Sequence, residues 1–146
     1  GLHEFKVARR SAAKEGKMTK KARRFIHIDD VEFIGNVDIH GEPRDEGVFK
    51  KLISEETGSN DISLGIGWLK PGEVHILHHH PKASEFYYVI EGSSEITVDD
   101  ETRQATEGMA VYLPAGAKHK IVNNTDKPCA ILFGYNYPTD TSIWDE

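Results

Sequence analysis

The stretch GEVHILHHHPKASEFYYVIEG, Gly72 to Gly92, carries four histidines, with Glu85 five residues after the last of them, between two glycines. It is internal and mixed in composition, so it is no purification tag. Read as a strand from Val74, it is interrupted at Pro81, a residue that leaves a ladder, and a second strand follows from Glu85. Successive side chains on a strand face opposite ways. His78 and His80 therefore share a face, and the same parity sends His75 and His79 to the other. On the second strand Tyr87 and Val89 follow Glu85 on one side. If the two strands run antiparallel as neighbours, Glu85 reaches a cation held by His78 and His80. His119, after the turn at Pro114–Gly116, is available as a further ligand from a separate strand.

Outward from this stretch the pattern stays β-rich. DISLGIGWLK alternates Ile62, Leu64, Ile66 and Trp68 with Ser63, Gly65 and Gly67, and the apolar set is expected to line or plug a barrel. SEITVDDETRQA reads as a hairpin around Asp99–Asp100, GMAVYLPAG as a strand entering a turn, and KHKIVNN and CAILFGYNY as two late strands. Short strands at near-regular spacing point to an all-β barrel or sandwich. GEPRDEG, Gly41 to Gly47, is a polar loop. Only residues 5–24 have a helical pattern. The expected organisation is a basic arm over 1–24 and one β-barrel domain over 25–146.

The 146 residues suit one domain, and 38% hydrophobic content suits a modest core. No apolar run approaches the roughly 20 residues of a spanning helix, and no apolar leader is evident, so no membrane partner is expected. Cys129 alone builds no disulfide framework, and a cytoplasmic location is the default. Charge is uneven. Residues 1–24 hold nine basic side chains against Glu4 and Glu15, a net of +7; the remainder holds nine against 22 acidic, a net of −13. The arm is read as lying against its own acidic body or that of a partner subunit, with Met18 available as an internal start. It lacks interleaved aromatics beyond Phe5, which argues against a nucleic-acid partner.

The residues resemble the cupin family in two ordered motifs. The first is a glycine, five residues, His-x-His, three or four residues, Glu, six residues and a glycine, met by Gly72, His78, His80, Glu85 and Gly92. The second is a glycine, five residues, Pro-x-Gly, two residues, His, three residues and Asn, met by Gly108, Pro114, Gly116, His119 and Asn123. The resemblance covers roughly residues 60–137. It implies a small jelly-roll β-barrel with His78, His80, Glu85 and His119 around one divalent transition metal per chain. Fe(II) leads, and Mn, Ni, Co, Cu or Zn suit the same donors. Buried ionisable groups are costly without a partner, and a metal supplies one.

Three functions follow as expectations. The resemblance implies first a non-haem Fe(II) dioxygenase, and such an oxidoreductase acting on a small oxygen-bearing molecule is the leading expectation. The second is a redox-neutral lyase or isomerase in which Tyr87 takes a proton next to a carboxylate or carbonyl. The chain resembles the cupin dimethylsulfoniopropionate lyases at Ser63–Gly65, Glu85 and Tyr87, Ala117–His119, Asn123–Asn124 and Pro138–Asp140. The third is a non-catalytic ligand-binding cupin. Tyr112, Ile121, Phe133 and Tyr135 are further wall candidates, and Asn123 is expected to hold a turn through its side chain. His3, His27 and His40 have no spacing argument. A small-molecule substrate and a homodimer are the expected partners, since edge strands need cover.

Overall fold

The computed structural model describes residues 22–35 and 45–145. The expected arm over 1–24 and most of the helical pattern over 5–24 lie outside the described residues. Residues 22–24 form no helix, and Arg23 N–H donates to the Thr57 carbonyl (2.9 Å). Among the described residues, ten strands run in chain order. They are β1 Val48–Ile53, β2 Ser63–Leu69, β3 Val74–His79, β4 Glu85–Glu91 and β5 Ser93–Val98, then β6 Glu101–Thr106, β7 Ala110–Leu113, β8 His119–Val122, β9 Cys129–Tyr135 and β10 Ile143–Trp144. They form two five-stranded sheets, β1-β2-β9-β4-β7 and β10-β3-β8-β5-β6, antiparallel throughout. This is the all-β architecture that the spacing of short strands predicts, in the jelly-roll form that the cupin resemblance implies.

The turns follow the punctuation of the sequence. β5 and β6 close over Asp99–Asp100, where Asp99 takes a positive φ of 52°, a conformation Asp tolerates in two-residue hairpins. Gly92 between β4 and β5 has φ 74°, and a Cβ there would lie 2.3 Å from the Pro128 carbonyl oxygen, so only glycine fits. Asn123 is fully buried, and Nδ2 donates to the carbonyls of Leu69 (3.0 Å) and Lys127 (2.8 Å) while Oδ1 accepts from the Thr125 hydroxyl (2.7 Å). It holds the β8–β9 turn against β2, as its motif position predicts.

The inward faces divide the barrel. Leu69, Val89, Ile96, Ala105, Leu113, Ile121, Cys129 and Ile131 form an apolar core, with Tyr87 at its margin. Burying each such large side chain contributes about 1.5–3 kcal/mol. The histidines and Glu85 lie toward the other end. The face of β2 that turns inward corrects the sequence expectation: Ser63, Gly65 and Leu69 are buried, whereas Ile62 is 50% exposed and Leu64 and Ile66 are half-buried without bordering the cavity. The cause is space. An added Cβ at Gly65 would stand 2.6 Å from the Phe133 ring and 2.6 Å from the Lys50 carbonyl oxygen, so this strand needs a glycine inside at that position. Of the four apolar residues Trp68 alone borders the cavity, and its ring meets Phe33 edge-on (5.3 Å). Tyr112 is 69% exposed and is no part of the wall, while Ile121, Phe133 and Tyr135 do line it. Phe86, Tyr88 and Ile90 of β4 form an apolar row on the outer face of the same sheet, each more than two-fifths exposed. No helix among the described residues is long and apolar enough to cross a membrane.

Candidate metal centre

β3 and β8 bring His78 directly opposite His119. His80 follows two positions later on the same side, and β4 carries Glu85 at its start. All four side chains are buried, and one ligand atom from each lies within 4.8 Å of the others. Glu85 Oε1 stands 3.2 Å from His80 Nε2 and 3.1 Å from His119 Nε2. None of these three atoms has a hydrogen-bond partner. Bonds of about 2.0–2.2 Å to one cation place neighbouring ligand atoms about 2.8–3.6 Å apart, the window in which these separations fall. Two imidazoles and a carboxylate left unsatisfied around one point, with the His78 imidazole beside them, suit a divalent metal.

The other ring nitrogens are committed elsewhere, which leaves Nε2 free. His78 Nδ1 donates to the Ile76 carbonyl (2.7 Å) and His119 Nδ1 to the Ala117 carbonyl (2.9 Å). His80 Nδ1 lies 3.4 Å from the Ser142 hydroxyl and 3.8 Å from Asp140 Oδ1. Such partners fix tautomer and orientation at metal sites. Electrostatics agree with a donor role. Burial pushes the His78 imidazole far below its usual range, and His75 and His119 add to it, so His78 is neutral. Burial alone would raise the Glu85 carboxyl, but the close approach of His119 and His80 holds it below the usual carboxylate range.

A cavity that opens to solvent adjoins the cluster. Glu85, Tyr87, Phe133, Tyr135, Asp140 and Ser142 are on its wall. Tyr87 is 3% exposed, its ring lies 6.0 Å from that of His119, and its hydroxyl is buried with no hydrogen-bond partner. Burial and the charges of Glu85, Asp45 and Asp140 push its phenol well above the ordinary value. Tyr135 packs against His80 (4.8 Å), and burial and Glu85 raise its phenol in the same way.

Strand parity holds for His79 and fails for His75. His79 turns outward, with Nδ1 2.8 Å from Asp145 Oδ2. His75, expected on that same outer side, lines the cavity. The ladder explains it: His75 pairs with Ile121 and His78 with His119, so Ile76 and Leu77 together oppose Lys120. This β-bulge adds one residue, and His75 and His78 both face inward, their rings 4.3 Å apart. His75 Nδ1 is paired with the fully buried carboxylate of Asp45, whose other oxygen accepts the Ile76 N–H (2.8 Å). Burial alone would lower the His75 imidazole, but Asp45 raises it above the ordinary value. Asp45, Ser142 and Trp144, whose ring lies 5.0 Å from that of His78, are site residues that the sequence reading did not find. Asp140 was visible only as part of the Pro138–Asp140 resemblance.

The family model described as a cupin domain matches residues 67–135. The chain is 27% identical to Protein SchB of Streptomyces halstedii over 80% of its own length and 79% of that protein. It is 32% identical to dimethylsulfoniopropionate lyase DddW of Ruegeria pomeroyi over 77% of its own length and 70% of that protein. It spans little more than half of two further curated relatives, 57% and 55% of their lengths. Among solved structures, oxalate decarboxylase of Lactobacillus farciminis in a formate complex superposes with a TM-score of 0.68, covering 82% of this chain and 35% of that one at 24% identity, a likeness of fold alone. The chain belongs to the cupin superfamily.

Proposed function

We propose that this cupin is a redox-neutral lyase that holds one divalent transition metal on His78, His80, Glu85 and His119, with Tyr87 as the base. The observation that carries the reading is the Tyr87 hydroxyl, buried beside the cluster without a hydrogen-bond partner on the wall of the same cavity. A barrel-filling aromatic has no need of that oxygen; a proton acceptor does. The similarity to DddW supports one substrate class, a small carboxylate with a leaving group on its β-carbon, dimethylsulfoniopropionate being the first to test.

The cation supplies a Lewis acid for a substrate oxygen. Tyr87, as the phenolate, takes the proton from the carbon next to the carboxylate and becomes the neutral phenol. The C–H electron pair becomes the new carbon–carbon double bond, and the leaving group departs with the pair of its own broken bond. No electrons are gained or lost. Burial, Glu85, Asp45 and Asp140 raise the Tyr87 phenol, while a divalent charge bound at the cluster would act the other way and favour the phenolate. Phe133 and Ile131 give the inner wall an apolar surface that keeps water from the reacting carbon.

The donor set by itself equally serves the Fe(II) dioxygenase that leads the sequence reading, and the two separate by oxygen. Metal-loaded protein is expected to release alkene and leaving group from dimethylsulfoniopropionate under anaerobic conditions. Activity that needs and consumes O₂ overturns the lyase reading in favour of the dioxygenase. The partner is proposed to be a second copy of the chain, docked on the outer row Phe86, Tyr88 and Ile90, because contiguous apolar surface marks an interaction site. Light scattering is expected to give a dimer for the parent and a monomer for Tyr88→Glu; two equal masses refute that face.

A further inference from the structure

The three histidines differ in what stands behind them. His78 and His119 rest on main-chain carbonyls, acceptors that come with the backbone. His80 alone faces side chains, both from the segment that enters β10. The Ser142 hydroxyl donates to Asp140 Oδ1 at 2.5 Å, so its proton is committed and its oxygen can only accept from His80 Nδ1–H. The Ser142 N–H donates to the same Asp140 oxygen (2.8 Å), which fixes carboxylate and hydroxyl relative to one another.

We propose that Ser142 and Asp140 form a relay behind His80 that sets its orientation and its strength as a ligand, so that the C-terminal strap tunes the metal centre. It rests on the metal reading above. A carboxylate behind a hydroxyl makes the hydroxyl oxygen a better acceptor, and the polarisation passes to the ring. A better acceptor at Nδ1 makes Nε2 a stronger donor. Ser142 and Asp140 are positioning residues: they act through His80.

The strap is anchored without this pair. Glu55 N–H donates to the Pro138 carbonyl (2.9 Å), Asn136 N–H to the Ser84 carbonyl (3.2 Å) and Asp145 N–H to the Leu77 carbonyl (2.9 Å). Ile143 and Trp144 pair with His79 and His78. Removing the hydroxyl therefore leaves the strap in place, and tuning separates from folding.

The test is Co(II) titration of the metal-free full chain, read by competition with a chromophoric chelator and by the visible bands of bound Co(II). Ser142→Ala and Asp140→Asn are each expected to weaken Co(II) binding about 10–100-fold and to shift the bands. The double variant is expected to be no weaker than Ser142→Ala, because the two act in series. Ser142→Thr, which keeps the hydroxyl, is expected to restore affinity and spectrum. Melting of the metal-free variants is expected to match the parent. Parent-like affinity and bands in both single variants overturn the relay while leaving the metal reading intact. So does a loss that tracks a lower melting point and that threonine does not rescue. A parent that takes up no Co(II) overturns both.

Discussion

Replacing Tyr87 by phenylalanine removes one oxygen and keeps the ring that packs against the core. That oxygen is buried and has no hydrogen-bond partner, so the fold gives up no bond when it leaves. A buried polar group without a partner costs about 1–3 kcal/mol; part of that is offset where the cavity opens to solvent. Tyr87→Phe is therefore expected to be as stable as the parent or more stable, by up to about 1 kcal/mol, which for a chain of this size raises the melting point by about 2–4 °C. Loss of a positioned base lowers the rate about 10²–10⁴-fold, a barrier increase of about 3–5 kcal/mol. Metal content is expected to stay at the parent's level. The assays are denaturant and thermal unfolding of metal-free protein, metal analysis, and anaerobic turnover of dimethylsulfoniopropionate. Turnover within a few-fold of the parent refutes the base assignment. A destabilisation above about 1 kcal/mol shows that the hydroxyl serves the fold.

Two further expectations concern the frame of the site. Gly65→Ala is expected to destabilise by about 1–3 kcal/mol, because its Cβ would meet the Lys50 carbonyl oxygen and the Phe133 ring at 2.6 Å; unchanged unfolding refutes the close packing of β2 on β9. In the metal-free chain, Asp45→Asn is expected to lower the His75 pKa from above 6.5 to below it, read by NMR titration of the ring. The native value is the raised one. The pair therefore contributes its full stability below about pH 6.5 and loses it as pH rises through the native pKa. Asp45→Asn is expected to remove that dependence, and an unmoved His75 titration contradicts the pairing.

What the sequence reveals of this site depends on how regular the backbone is. His78, His80, Glu85 and His119 occur at motif spacings on regular strands, and the fold brings all four together. Tyr87 is legible for the same reason, two positions along β4 from Glu85. His75 is not, because the bulge at Ile76–Leu77 inverts its side and leaves no composition signature. The β2 face is misread because apolar residues are taken to turn inward. A barrel with a cavity instead needs small residues there, and Gly65 makes room for Phe133. Ser142 and Asp45 reach the site from segments 62 and 30 residues away from their histidine partners, through closures that no local pattern encodes.

In the proposed centre, four side chains from three strands and a turn hold one cation. Metal analysis of protein purified without chelator or nickel resin is the decisive measurement, for the parent and for His80→Ala, His119→Ala and His79→Ala. The expected result is about one divalent transition metal per chain in the parent and in His79→Ala, with most of it lost in the other two. A parent without metal, or equal loss in all three variants, contradicts it.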